Sequence, residues 1–191
     1  MLFRSALSLC LAAAGRAADA PLKEGDQAPD IKLPATQVEK ALPELKGVKE
    51  LSLKDLKGKK NVVLFFFPKA MTRGCTIESC GFRDQTEKFA ALDTVVIGIS
   101  TDNLDAQHQF TEKEKLNFPL MADTGKTATQ AFGVLSRANG VASRYTFVID
   151  KEGIIRKVYI VKDTQNHPAE VVAYVKENLT DKPKEKKEEK K

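Results

Sequence analysis

Cysteine and histidine are scarce in this chain of 191 residues, with three of the first and two of the second. Cys10 falls in the leader-like N-terminus, which leaves Cys75 and Cys80, too few for a disulfide scaffold. His108 and His167 lie far from each other and from the cysteines in sequence, so no metal-ligand spacing emerges and no cofactor is expected. Each histidine is expected to be a solvated surface residue. No glycine-rich phosphate loop and no internal repeat is present. Nor is there a basic stripe with interleaved aromatics, which argues against a nucleic-acid partner. The apolar stretch at the N-terminus is too short for a transmembrane helix, so no stable membrane association is expected.

The composition points to one soluble domain with a full-sized core: 42% of residues are hydrophobic and 30% charged. The net charge of +5 is dispersed. Residues 1–20 carry Arg4, an apolar core from Ser5 to Gly15, and small residues up to Ala20, the pattern of a secretory signal peptide. A mitochondrial presequence competes with it, because the segment contains arginine and is nearly free of acids. The expectation is therefore an exported protein, periplasmic or secreted, with a mitochondrial location as the alternative. Residues 181–191, DKPKEKKEEKK, are low in complexity and expected to be a disordered tail, leaving 21–180 as the folded domain.

The rest of the chain is organised around Asn61 to Asp84. Val62 to Phe67 form an unbroken apolar run, which reads as a strand buried on both faces of a sheet. Pro68 stops it, since proline cannot donate to a ladder. A short loop then brings Cys75 to a predicted helix start, with Glu78 as an acid in the first turn. A thiol at a helix N-terminus faces unpaired N–H groups and the positive dipole end, which is where reactive cysteines are found. Cys80 follows five residues later, a pair that suits redox chemistry. Free cysteines are also often small buried hydrophobes, and the pair alone does not exclude that reading.

The predicted helix runs from Cys75 to about Leu92, with Phe82, Phe89 and Leu92 as its apolar stripe. Thr94 to Ser100 read as a second buried strand, Leu104 to Lys115 as an exposed helix, and Phe118 to Met121 as a short strand. Lys126 to Phe132 read as a short helix. Tyr145 to Asp150 and Ile154 to Val161 are two strands joined by a Lys151-Glu152-Gly153 turn. Pro168 opens a closing helix with Val171, Val172 and Val175 on one side. Upstream, Ala28-Pro29-Asp30 and the ELSLKDL stretch read as edge or turn segments, and residues 37–48 between them as a surface elaboration. The order predicts an α/β fold, a mixed sheet flanked by helices of thioredoxin-like type.

The pattern Pro68-x-x-x-Thr72-x-x-Cys75 resembles the active-site signature of the peroxiredoxins, and the wider string FFFPKAMTRGCTIESCGFRD is similar to the peroxiredoxin Q or bacterioferritin comigratory protein subgroup. VVIGIST at 95–101, FPLMAD at 118–123 and RYTFVIDKEGIIRKV at 144–158 extend the resemblance from Lys23 to about Leu179. Arg73 departs from it, standing where the family usually has proline. The resemblance implies a thiol-dependent peroxidase acting on hydrogen peroxide and organic hydroperoxides. Cys75 would be the nucleophile, Thr72 a hydroxyl in the peroxide network, Pro68 a shield for the thiolate and Arg144 the second donor. Cys80 would resolve the sulfenic acid to a disulfide, reduced in turn by a thioredoxin-like dithiol protein acting on a monomer or weak dimer. Two other readings are a thiol–disulfide oxidoreductase, which expects C-x-x-C where four residues separate these cysteines, and a copper-binding redox protein.

Overall fold

The computed structural model describes residues 20–180. The expected signal peptide, apart from Ala20, and the expected tail lie outside the described residues. A five-stranded sheet is built from β3 (Asn61–Phe66), β4 (Thr94–Ser100), β5 (Leu120–Ala122), β6 (Tyr145–Ile149) and β7 (Ile155–Ile160), in the order β5-β4-β3-β6-β7. β4 runs parallel to both β3 and β5, whereas β6 is antiparallel to β3 and to β7. The mixed thioredoxin-like sheet expected from the sequence is thus present, with the Val62–Phe67 run at its centre. Every residue of β3 is buried because both faces are covered.

Alternation along the strand sends Val63 and Phe65, followed by Phe67, into one core and Val62, Leu64 and Phe66 into the other. On the first face lie α2 (Arg73–Arg83), α3 (Thr86–Ala90), α4 (Leu104–Lys113) and α6 (His167–Asn178), through Phe82, Phe89, Phe110 and the pair Val171 and Val175. On the other lie α5 (Thr127–Ala131) and the N-terminal elements, namely β1 (Lys32–Pro34), α1 (Val38–Ala41) and β2 (Glu50–Ser52). β1 and β2 form a separate antiparallel pair.

Four expectations need correction. The helix after Cys75 does not run through to Leu92 but breaks at Asp84 and Gln85. The Thr86 hydroxyl donates to the Arg83 carbonyl at 2.8 Å, and Asn117 donates to both, so side chains take over the acceptor that a continuing helix would have used. Residues 37–48 are not a mere surface elaboration: Val38 and Leu42, one helical turn apart, are buried in the core. α4 is exposed on one side only, since Gln107, Phe110 and Thr111 are buried. His167 is not a solvated residue but is 2% exposed, its Nε2 sharing a 2.8 Å hydrogen bond with the Thr146 hydroxyl of β6. Its ring stands edge-on to Phe82 and Tyr159, so the start of α6 is locked against α2 and the sheet. His108 is exposed as expected.

Gly81 lies in that contact. A Cβ there would sit 2.8 Å from Cγ of Pro168, so the small residue lets α2 and α6 approach. Helix propensity alone would make Gly81→Ala stabilising by about 1 kcal/mol, whereas overpacking costs about 1–3 kcal/mol. The clash is with a rigid ring, so the second effect should win. We expect Gly81→Ala to lower the melting temperature, and a raised one would show that the α2–α6 contact yields freely.

Candidate active site

The site is assembled where β3 ends. The ladder continues to Phe67, whose N–H donates to Ile99 O at 3.0 Å, and Pro68 then ends it. The following loop is pinned from below by Asp102, which accepts from Ala70 N and from the Ser100 hydroxyl, both at 2.7 Å. Met71 adopts φ 61°, a left-handed conformation that strains a residue with a side chain, so tertiary contacts hold this loop against its local preference. Thr72 is the N-cap of α2 with extended backbone, and its carbonyl accepts the first helical bond from Thr76 N at 2.8 Å. Cys75 is therefore the third helical residue, as the sequence led one to expect, and is 1% exposed.

Arg144 reaches this thiol from the residue just before β6. Its Nη2 donates to Cys75 Sγ at 3.2 Å, and its Nη1 donates to Glu78 Oε2 in an ion pair. The backbone behind it is tied by Val161 N donating to Arg144 O at 3.1 Å. The guanidinium passes across the first turn of α2, where a Cβ on Gly74 would lie 3.4 Å from Nη2. Burial works against the charge on Arg144, but Glu78 and Cys75 outweigh it and hold the group above its usual pKa. Burial pushes Glu78 up to about 7, with Arg144 pulling in the other direction. The fixed fork of arginine is what allows one side chain to serve a sulfur and a carboxylate together.

The sequence-predicted residues are thus brought together unequally. Cys75 and Arg144, 69 positions apart, are in direct contact. Thr72 caps the same helical turn, its hydroxyl donating to Lys69 O at 3.1 Å, which leaves its lone pairs free to accept. Pro68 is half-buried on the loop that leads into that turn. Cys80 lies elsewhere. It is half-buried, and its thiol donates to Glu114 Oε2, just past α4, at 3.8 Å. Burial raises its pKa, opposed by Arg83 and reinforced by Glu114. Both thiols are free.

Glu78 is the functional residue the sequence reading misplaced. Taken there as a dipole partner in the first turn, it is completely buried as the carboxylate partner of Arg144. Its spacing of three from Cys75, which puts both on one helical face, was the available signal. Glu114 and Asp102 carried no comparable local signature. Among the described residues no group of three or more His, Cys, Asp or Glu is gathered in a way that could hold a metal ion, and no helix is long and apolar enough to cross a membrane.

The profile of the AhpC/TSA family matches residues 24–158. The chain is 35% identical over 164 residues to peroxiredoxin Bcp of Escherichia coli strain K12, spanning 83% of this chain and 98% of that protein. It is 37% identical over 159 residues to peroxiredoxin Bcp of Bacillus subtilis strain 168, spanning 80% and 94%. Among solved structures, peroxidoxin BcpB from Mycobacterium tuberculosis superposes with a TM-score of 0.71 at 33% identity, covering 82% of this chain and 98% of that one.

His167 makes the burial around Arg144 measurable. Burial, and then the Arg144 charge, lower its pKa to about 4, with Asp163 opposing. Thr146 on β6, Phe82 on α2 and Tyr159 on β7 are its other neighbours. A group depressed in the fold contributes stability above its unfolded pKa and loses it as pH falls through the folded one. Between pH 6.5 and 4, wild type should therefore lose up to roughly 3 kcal/mol more stability than His167→Gln. Urea titrations at several pH values check this, and parallel pH profiles for the two proteins would show that His167 is not held neutral.

Proposed function

Because this chain belongs to the AhpC/TSA family of peroxiredoxins, and so is a thiol-dependent peroxidase, we propose that Cys75 is its peroxidatic nucleophile and Cys80 its resolving thiol. The observation that carries the proposal is the donation of Arg144 Nη2 to the buried Cys75 Sγ. A negative sulfur at that position is neutralised by a fixed cation, and the same cation faces the oxygen on which charge develops.

The sulfur attacks one peroxide oxygen. An S–O bond forms, the O–O bond breaks, and the departing alkoxide or hydroxide takes up a proton to leave as alcohol or water. Thr72 accepts a hydrogen bond from the peroxide, and Pro68 limits access of water to the sulfur. The Cys80 sulfur then attacks the Cys75 sulfenic acid, whose hydroxyl leaves as water with the Cys80 proton. A thioredoxin-type dithiol returns the resulting disulfide to two thiols. In this proposal residues 1–20 direct export, which makes the enzyme periplasmic or secreted and its reductant an exported one. The contact of Cys75 with Arg144 and the hydrogen bond of Cys80 to Glu114 favour a division of labour in which only the first thiol reacts with peroxide.

The variants separate these roles. Cys75→Ser should abolish peroxide consumption with the fold intact. Cys80→Ser should react once, with a trappable sulfenic acid and no intramolecular disulfide. Turnover at near wild-type rate in the first variant, or full recycling by a dithiol in the second, would sink the assignment.

The two thiols cannot meet on the helix as it stands. Five residues along α2 give a rise of roughly 7.5 Å and a rotation of about 140°, placing the two Cα atoms roughly 8.7 Å apart. A disulfide tolerates about 7 Å at most. The stretch from Thr76 to Gly81 must therefore unwind, releasing Glu78 from Arg144 and Gly81 from Pro168. Phe82, stacked on Phe65 with ring centroids 4.7 Å apart, is the anchor beyond which the helix can stay in place. Hydrogen exchange should show the amides of residues 76–81 protected in the reduced protein and exposed in the disulfide form. Equal protection in both would rule the unwinding out.

A further inference from the structure

Eight serine and threonine side chains are buried among the described residues: Thr36, Ser52, Ser79, Thr94, Ser100, Thr111, Thr129 and Thr146. Seven of them are hydrogen-bonded through their hydroxyls. Ser79 alone is not: it is 0% exposed and its Oγ has no hydrogen-bond partner. It lies between the two cysteines on α2, next to Glu78, whose Oε1 is likewise buried and unpartnered. Two orphaned polar atoms therefore sit in the one stretch of helix that must open for the thiols to meet. A buried polar group without a partner costs free energy in the folded state that water restores on exposure. That penalty acts against the closed helix and is relieved when the helix unwinds.

We propose that the Ser79 hydroxyl is a built-in weak point of α2 that sets how often the helix opens, and so how fast Cys80 reaches the Cys75 sulfenic acid. This rests on the reading of Cys80 as the resolving thiol. Ser79 touches neither thiol in a hydrogen bond and is a positioning residue. Its consequence is a kinetic partition. While α2 stays closed, the sulfenic sulfur can attack a second peroxide: a further S–O bond forms, the peroxide O–O bond breaks, and the alkoxide leaves with the sulfenic proton, giving sulfinic acid. A helix that opens readily diverts Cys75 from that overoxidation.

Rapid-mixing kinetics on the full chain with hydrogen peroxide tests this through Ser79→Ala and Ile77→Ala. Both replace a residue of middling helix propensity by alanine, but Ile77 is exposed at 37%, so only the first removes a buried orphan. In Ser79→Ala the reaction of Cys75 with peroxide should keep its rate. Disulfide formation should slow on the order of tenfold, the size expected for removing a buried unsatisfied hydroxyl. Mass spectrometry at high peroxide should show correspondingly more sulfinic acid. Ile77→Ala should slow disulfide formation by no more than about twofold, since the helix propensity it gains is offset by the apolar contact it loses. Wild-type resolution in Ser79→Ala, or equal slowing in the two variants, overturns the proposal. Cys80→Ser in the same assay keeps the two ideas apart: a disulfide phase that persists there refutes the resolving role, whereas its loss alongside a wild-type rate in Ser79→Ala refutes the role of Ser79 alone.

Discussion

The contact on which the site depends is the fork of Arg144, one nitrogen on Cys75 and the other on Glu78. It ties the first turns of α2 to the start of β6 across a chain separation that no local interaction could span. Because Glu78 is fully buried, removing either partner would strand a charge in a desolvated pocket, a loss of about 3–5 kcal/mol for pairs of this kind. The pair is therefore less a source of net stability than a device of position. It holds a cation over the sulfur in one geometry.

That geometry is bought against local preference in several places. Met71 is held in a left-handed conformation, the loop before the helix is pinned by Asp102, and Glu78 and Ser79 each bury a polar atom that nothing satisfies. The compensation lies below α2, where Phe82 stacks on Phe65 and meets His167 edge-on. The cost is thus concentrated between Met71 and Gly81 while the gain sits at Phe82 and beyond. A helix built in this way is weakest at its N-terminal end and most firmly attached to the sheet at Phe82. The proposed chemistry of two thiols on one helix requires opening at that end.

The placement of Cys80 follows the same logic. It is held apart from the contact of Cys75 with Arg144, with its proton directed to a carboxylate and its pKa raised by burial. Under the proposed roles, a resolving thiol kept protonated in the closed helix does not compete for peroxide, and it gains a target only after the first step. Separation of the cysteines is therefore part of the division of roles between them.

Much of this was legible in the chain itself. The run Val62–Phe67 named the central strand because six apolar residues in a row cannot be satisfied on a half-exposed sheet, and Pro68 marked where it had to stop. The spacing from Pro68 through Thr72 to Cys75 carried the family resemblance, since a strand end, an N-cap and a thiol in the first turn are all local features. Other facts were beyond its reach. Whether Leu42 lies in the core, whether His167 is buried and what Glu78 pairs with depend on which surfaces the fold brings together. The break of α2 at Asp84 depends on Asn117, 31 residues from Thr86, supporting the hydroxyl that captures the Arg83 carbonyl. Periodicity reports the face a residue presents, because that is set by the backbone a few positions away. Only the tertiary structure decides what that face meets, because the partners come from distant parts of the chain.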